Sequence, residues 1–101
     1  MAPSEAALRL LSGRAVALIG DYSLDWSALT QEWAVYRLTS IGKTAQTPTR
    51  FSRLVSKTKL KKDALDYGWR ILADCELLWV YSRDGRLQYA RDYEGNRYDH
   101  G

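Results

Sequence analysis

The dipeptide Asp84-Gly85 constrains the fold more than any other feature of this chain. An Asp-Gly pair between alternating apolar segments is a strong signal for a tight β-hairpin. Leu78, Val80, Leu87 and Tyr89 alternate here with Trp79, Tyr81, Gln88 and Ala90. With Asp84 and Gly85 as the turn, Arg83 faces Arg86, Tyr81 faces Gln88 and Trp79 faces Ala90. Leu78, Val80, Leu87 and Tyr89 then share the core face, and Trp79, Tyr81, Arg83 and Arg86 share the other. From Asp92 onward the chain turns polar and acidic, so residues 94–101 read as a tail.

Upstream of the hairpin the apolar spacing is three to four residues, which predicts helices. Ser4 caps the first, whose apolar positions are Ala7, Leu8, Leu11, Ala15, Leu18 and Ile19. A short helix followed by a strand over 15–19 is the alternative. Asp25 caps a second helix over 25–41, with one stripe of Trp26, Leu29, Trp33 and Tyr36 and another of Ala34, Val35, Leu38 and Ile41. Thr47-Pro48 starts a third over 48–57, with Phe51, Leu54 and Val55 inward and Arg50, Arg53 and Lys57 outward. A fourth spans 59–76. The expected fold is mainly α with a C-terminal β-hairpin: one domain over residues 1–93.

Several functions are excluded. A chain of 101 residues builds one core, not two. Cys75 is the single cysteine, so no internal disulfide forms, which suits a reducing compartment. No apolar run approaches the ~20 residues of a membrane span. The expected location is therefore cytoplasmic. One Cys and one His make no zinc site of the common kind, and no cofactor or metal is expected. His100 has no triad partners in view. Gly42-Lys43-Thr44 imitates the end of a phosphate loop, but Arg37 stands where that motif requires Gly. An enzyme is not expected.

Charge is where the chain is unusual. Residues 37–62 contain eight basic side chains and no Asp or Glu: Arg37, Lys43, Arg50, Arg53, Lys57, Lys59, Lys61 and Lys62. The remainder holds seven Lys/Arg against twelve Asp/Glu, so a net charge of +3 hides a polarised molecule. A polyanion binding such a region would release counterions. The competing reading is a solvated basic face. Lys59, Lys61 and Lys62 at the start of a helix oppose its dipole, and a bound anion would relieve that conflict.

The order of helix, basic helix, turn, basic-ended helix and arginine-tipped hairpin resembles the winged helix-turn-helix superfamily over about residues 25–93. That resemblance implies duplex DNA binding in transcription regulation, replication or partition. The family's groove-entering helix would carry Lys57, Lys59, Lys61 and Lys62, and its wing Arg83 and Arg86. Arg50 and Arg53 would lie near phosphates, with Lys43 in the connector before them. Pairing the second and third helices instead would let Arg50 and Arg53 read bases. Such proteins often act as homodimers, for which the first helix offers a surface. Two other functions fit the residues: docking of an acidic protein partner, or single-strand or RNA binding by stacking on Trp79 and Tyr81.

Overall fold

The computed structural model describes residues 3–12, 16–44 and 47–99, without the side chains of 43–50. It is built on one six-stranded mixed sheet rather than on helices. Helix α1 (Glu5–Leu11) is followed by β1 (Tyr22–Ser27), β2 (Glu32–Thr44) and β3 (Thr47–Thr58). Helix α2 (Lys61–Arg70) leads to β4 (Leu78–Tyr81), β5 (Leu87–Arg91) and β6 (Arg97–Asp99). The strand order is β3-β2-β1-β4-β5-β6. The central pair, β1 and β4, is parallel, and the other neighbours are antiparallel.

One helix and three strands thus occur twice, and each helix covers the strands of the other unit. Ala64 of α2 packs with Tyr22, Leu24, Trp33 and Val35, together with Leu78 and Val80. Ala6 and Leu10 of α1 pack on the opposite face against Leu77, Trp79 and Ala90. The sheet therefore lies between two helices; β4 is buried on both faces, whereas β1 alternates between buried and half-buried residues.

This corrects the mainly α expectation. The segment read as a helix over 25–41 is the end of β1, a turn and most of β2. Tyr22-Ser23-Leu24-Asp25-Trp26-Ser27 alternates strictly, which is a strand pattern. In β2 the two apolar stripes are the two faces of one strand: Trp33 and Val35 under α2, Ala34 and Leu38 buried on the other face. Period alone does not separate that pattern from a centrally buried helix, and the Trp, Val, Tyr and Thr content favours the strand.

The helix expected over 48–57 is β3, the edge strand. Pro48 fits there because an edge position tolerates a missing N–H. The winged helix-turn-helix order is accordingly absent. Two helical expectations hold in shortened form. Ser4 caps α1 through a hydrogen bond from Ala7 N, 3.1 Å, and α2 lies inside the stretch read as 59–76.

The hairpin at Asp84-Gly85 forms, with Trp79 opposite Ala90 as read from sequence. Gly85 sits at φ +85°, the left-handed region a turn demands. A bulge after Val80 sets Tyr81 opposite Leu87 rather than Gln88. Leu87 is thereby turned to the α1 face, where it packs on that helix's cluster. Residues 97–99, expected in the tail, pair with β5 as β6.

Candidate nucleic-acid interface

Strand β3 carries three of the eight basic residues of the acid-free stretch, Arg50, Arg53 and Lys57, along one edge of the sheet. At about 3.3 Å per residue, the path from Arg50 to Lys59 is ~30 Å long. Strands β2 and β3 outrun β1, whose pairing with β2 begins at Tyr22 opposite Arg37. Beyond that point they continue as a two-stranded ribbon, with Ile41 opposite Arg50 and Lys43 opposite Pro48.

The basic residues fall into three settings. Arg53 stands directly across from Arg37, on the face that α2 covers. Like charges opposite one another destabilise a strand pair. Arg37 is partly compensated by Glu76 at 3.4 Å and by the Tyr22 ring, 5.5 Å from its centroid. Arg53 is exposed, and no described carboxylate pairs with it.

Lys57 lies opposite Ala34, hence on the other face. A helix would have aligned Arg53 with Lys57. A regular strand would have done so too, but the bulge opposite Val35 and Tyr36 inserts one extra residue and turns them to opposite faces. Because β3 is the edge strand, both still border the same rim.

The third group lies where β3 passes into α2. Lys59 and Lys62 are exposed, and no described carboxylate pairs with either. Lys61, the first residue of α2, differs. Its Nζ sits 4.8 Å over the Trp33 ring and donates to Gln88 Oε1 at 2.6 Å. Burial lowers its pKa. Lys61 is thus engaged within the domain and is a weak candidate for a phosphate contact.

The cap position before it, Leu60, makes no side-chain cap hydrogen bond. Lys61 and Lys62 open the first turn of α2, and Asp63 follows them as the acid that the helix dipole favours there.

The two hairpin arginines reach the same end of the sheet. Arg83 stacks over Trp26 at 4.2 Å, and Trp26 in turn lies 5.2 Å from Trp33. Arg86 pairs with Asp84 at 3.6 Å, both well exposed. The candidate contacts therefore form a rim: Arg53, Lys57, Lys59 and Lys62, closed by Arg83 and Arg86. Lys43 and Arg50 lie further out on the ribbon.

Stacking on Trp79 is not open to a base. That ring is 5% exposed, and its Nε1 donates to Asp21 at 3.0 Å.

Sequence reading missed Asp21 and Asp25. Asp21 accepts five hydrogen bonds from described residues: two from Arg9 and one each from Leu18 N, Leu77 N and Trp79. Asp25, taken as a helix cap, is half-buried on β1, with Ser23 Oγ 3.1 Å from its Oδ2. Burial raises its pKa, and the Ser23 hydroxyl offsets part of that rise. The alternation over 22–27 was the available signal, since it places Ser23 and Asp25 on one face of a strand.

Among the described residues no His/Cys/Asp/Glu group is arranged to hold a metal, and no helix is long and apolar enough to cross a membrane. Comparison with protein-family models, with curated proteins and with solved structures returned no match.

Proposed function

We propose that this chain binds duplex DNA, laying the β3 rim along the phosphate backbone with the β2–β3 ribbon toward the major groove. The observation that carries this reading is the run of Arg53, Lys57, Lys59 and Lys62. Arg53 and Lys57 are on the edge strand, Lys59 follows it and Lys62 is in the first turn of α2, and no described carboxylate pairs with any of them. Exposed lysines act as point charges suited to phosphates, so backbone positioning outweighs base reading. A B-form major groove is wide enough for a two-stranded β-ribbon, and strand readers use it that way.

The test is fluorescence anisotropy on a labelled duplex across a salt series. Each neutralised phosphate contributes about −0.9 to the slope of log K against log salt, so four contacts give about −3 to −4. Lys57→Glu with Lys59→Glu and Lys62→Glu should remove most of that slope while leaving the circular dichroism unchanged. Absence of binding at low salt would refute the reading.

A second reading rests on the outer edge of β3, whose strand bears Phe51 and Leu54 exposed at 53% and 46%. An open edge with apolar side chains accepts an added strand, and the basic border selects an acidic polypeptide. Hydrogen exchange separates the two. An added strand protects the outward amides of β3, whereas a phosphate backbone leaves them exchanging.

A further inference from the structure

The half of the sheet formed by β1, β2 and β3 has α2 on one face only. On its other face, Ser23 and Asp25 of β1, Leu38 of β2, Ser52 of β3 and Tyr81 of β4 line an open pocket of about 150 Å³, with Ala17 on its wall. A cavity of about this volume holds a molecule the size of benzene.

Its polar content is specific. Asp25 is half-buried, and Ser23 is the one described residue that donates to it. Asp21 borders the same pocket, but both its oxygens are taken by Arg9, Leu18, Leu77 and Trp79. Of the described cations on this face, Arg9 is held by Asp21, and Lys57 pairs with no described carboxylate. It lies two strands away across Ala34, so roughly 10 Å separates its backbone from that of Asp25. A carboxylate drawn out of water without a cation is costly, and a cationic ligand removes that cost. The remaining wall is Ser52 with the apolar and aromatic residues Ala17, Tyr22, Leu38, Trp79 and Tyr81.

We infer that this pocket binds a small organic cation, with an ammonium, amidinium or guanidinium head on Asp25 and an apolar body against Leu38 and Tyr81. Ser23 holds the carboxylate in position. Tyr81 supplies an aromatic surface at which a cation is further stabilised. The same chemistry is carried by a free amine and by an arginine or lysine side chain of a polypeptide. The inference is independent of DNA binding, because the phosphate-facing residues lie outside the pocket.

The experiment is an NMR titration of the labelled protein with benzamidine, a benzene-sized amidinium, and with benzamide, its neutral counterpart. Benzamidine should shift the signals of Ser23, Asp25, Ser52 and Tyr81 saturably and move the Asp25 titration to lower pH. Benzamide at equal concentration should not. Asp25→Asn should weaken benzamidine binding by about tenfold or more, the worth of a charge-assisted hydrogen bond. Ser23→Ala, which keeps the charge, should weaken it less, so a folding defect in one variant leaves the other as a check. Agmatine and a pentapeptide with one central arginine then separate the two sources, and binding of either supports the site. Equal binding of benzamide and benzamidine, or unchanged benzamidine binding in a folded Asp25→Asn protein, would overturn it.

Discussion

Arg9 donates both terminal nitrogens of its guanidinium to Asp21, at 2.9 and 2.6 Å, and so fastens helix α1 to the bend that starts β1. Asp21 is 2% exposed and also accepts from Leu77 N and Trp79 Nε1 on β4. One carboxylate therefore joins α1, β1 and β4, elements up to 58 residues apart in sequence. Replacing Asp21 with Ala leaves a buried indole N–H and a buried amide without an acceptor, and leaves the Arg9 guanidinium only the carbonyls of Val16 and Cys75. The expected loss is about 3–5 kcal/mol, read from urea unfolding. Arg9→Ala should cost less, since the carboxylate keeps its neutral donors. The double variant should fall short of the sum of the two.

Trp33 anchors the other core. It is 7% exposed, lies against Trp26 and carries Lys61 above its ring. Trp33→Ala removes that packing and takes from Lys61 and Trp26 the ring each rests against. The expected cost is ~3–5 kcal/mol in chemical denaturation.

Gly68 is where α2 comes closest to the sheet. A Cβ there would lie 3.0 and 3.2 Å from the two methyls of Leu78, a side chain with no exposed surface. Helix propensity alone would reward Gly68→Ala by about 1 kcal/mol. Overpacking costs about 1–3 kcal/mol, so the sign is expected to be destabilising. Calorimetry on Gly68→Ala and on Gly68→Ala with Leu78→Val checks this. The second substitution should recover part of the loss.

Asp25 makes stability depend on pH in an unusual direction. Burial raises its pKa above the ordinary 3.8. As pH climbs from below that value, the unfolded chain releases this proton before the folded one does. The folded state then binds more protons, so the contribution of Asp25 to stability falls through the window and stays lower above it. Asp25→Asn lacks this decline. The variant should gain on the natural chain as pH passes from 3 toward neutrality, whereas their difference should be smallest at the acid end. Thermal unfolding of both proteins across that range tests the sign, since the other carboxylates are common to both.

Local signals in the sequence were strong at turns and caps and weak at long-range pairing. Asp84-Gly85 specified its hairpin because Gly85 supplies a conformation few residues adopt, and Ser4 specified a helix start through one hydrogen bond. Trp33, Val35 and Tyr36 were misleading for a physical reason. A strand covered by α2 on one face and flanked by a pocket on the other loses simple alternation, and its apolar residues fall at helical spacings by coincidence. The acid-free run was legible as charge, but its geometry was not. Whether Arg53 and Lys57 share a face depends on a bulge near Val35, which pairing alone reveals. Asp21 was invisible as a junction because its donors come from Arg9, Leu18, Leu77 and Trp79.

Arg53 gives the sharpest separation between folding and binding. It stands opposite Arg37 across the β2–β3 pair, a like-charge pair that the isolated domain does not need. Arg53→Glu turns it into an opposite-charge pair, worth about 0.2–1 kcal/mol of added stability in the free protein. Glu76 already holds Arg37 at 3.4 Å, which places the gain toward the lower end. If the β3 rim serves phosphates, the same substitution weakens duplex binding, because a contact is lost and a repulsion introduced. Unfolding and anisotropy measured on one preparation should therefore move in opposite directions. A protein that became more stable and bound duplex as before would show that this cation is only a tolerated surface charge.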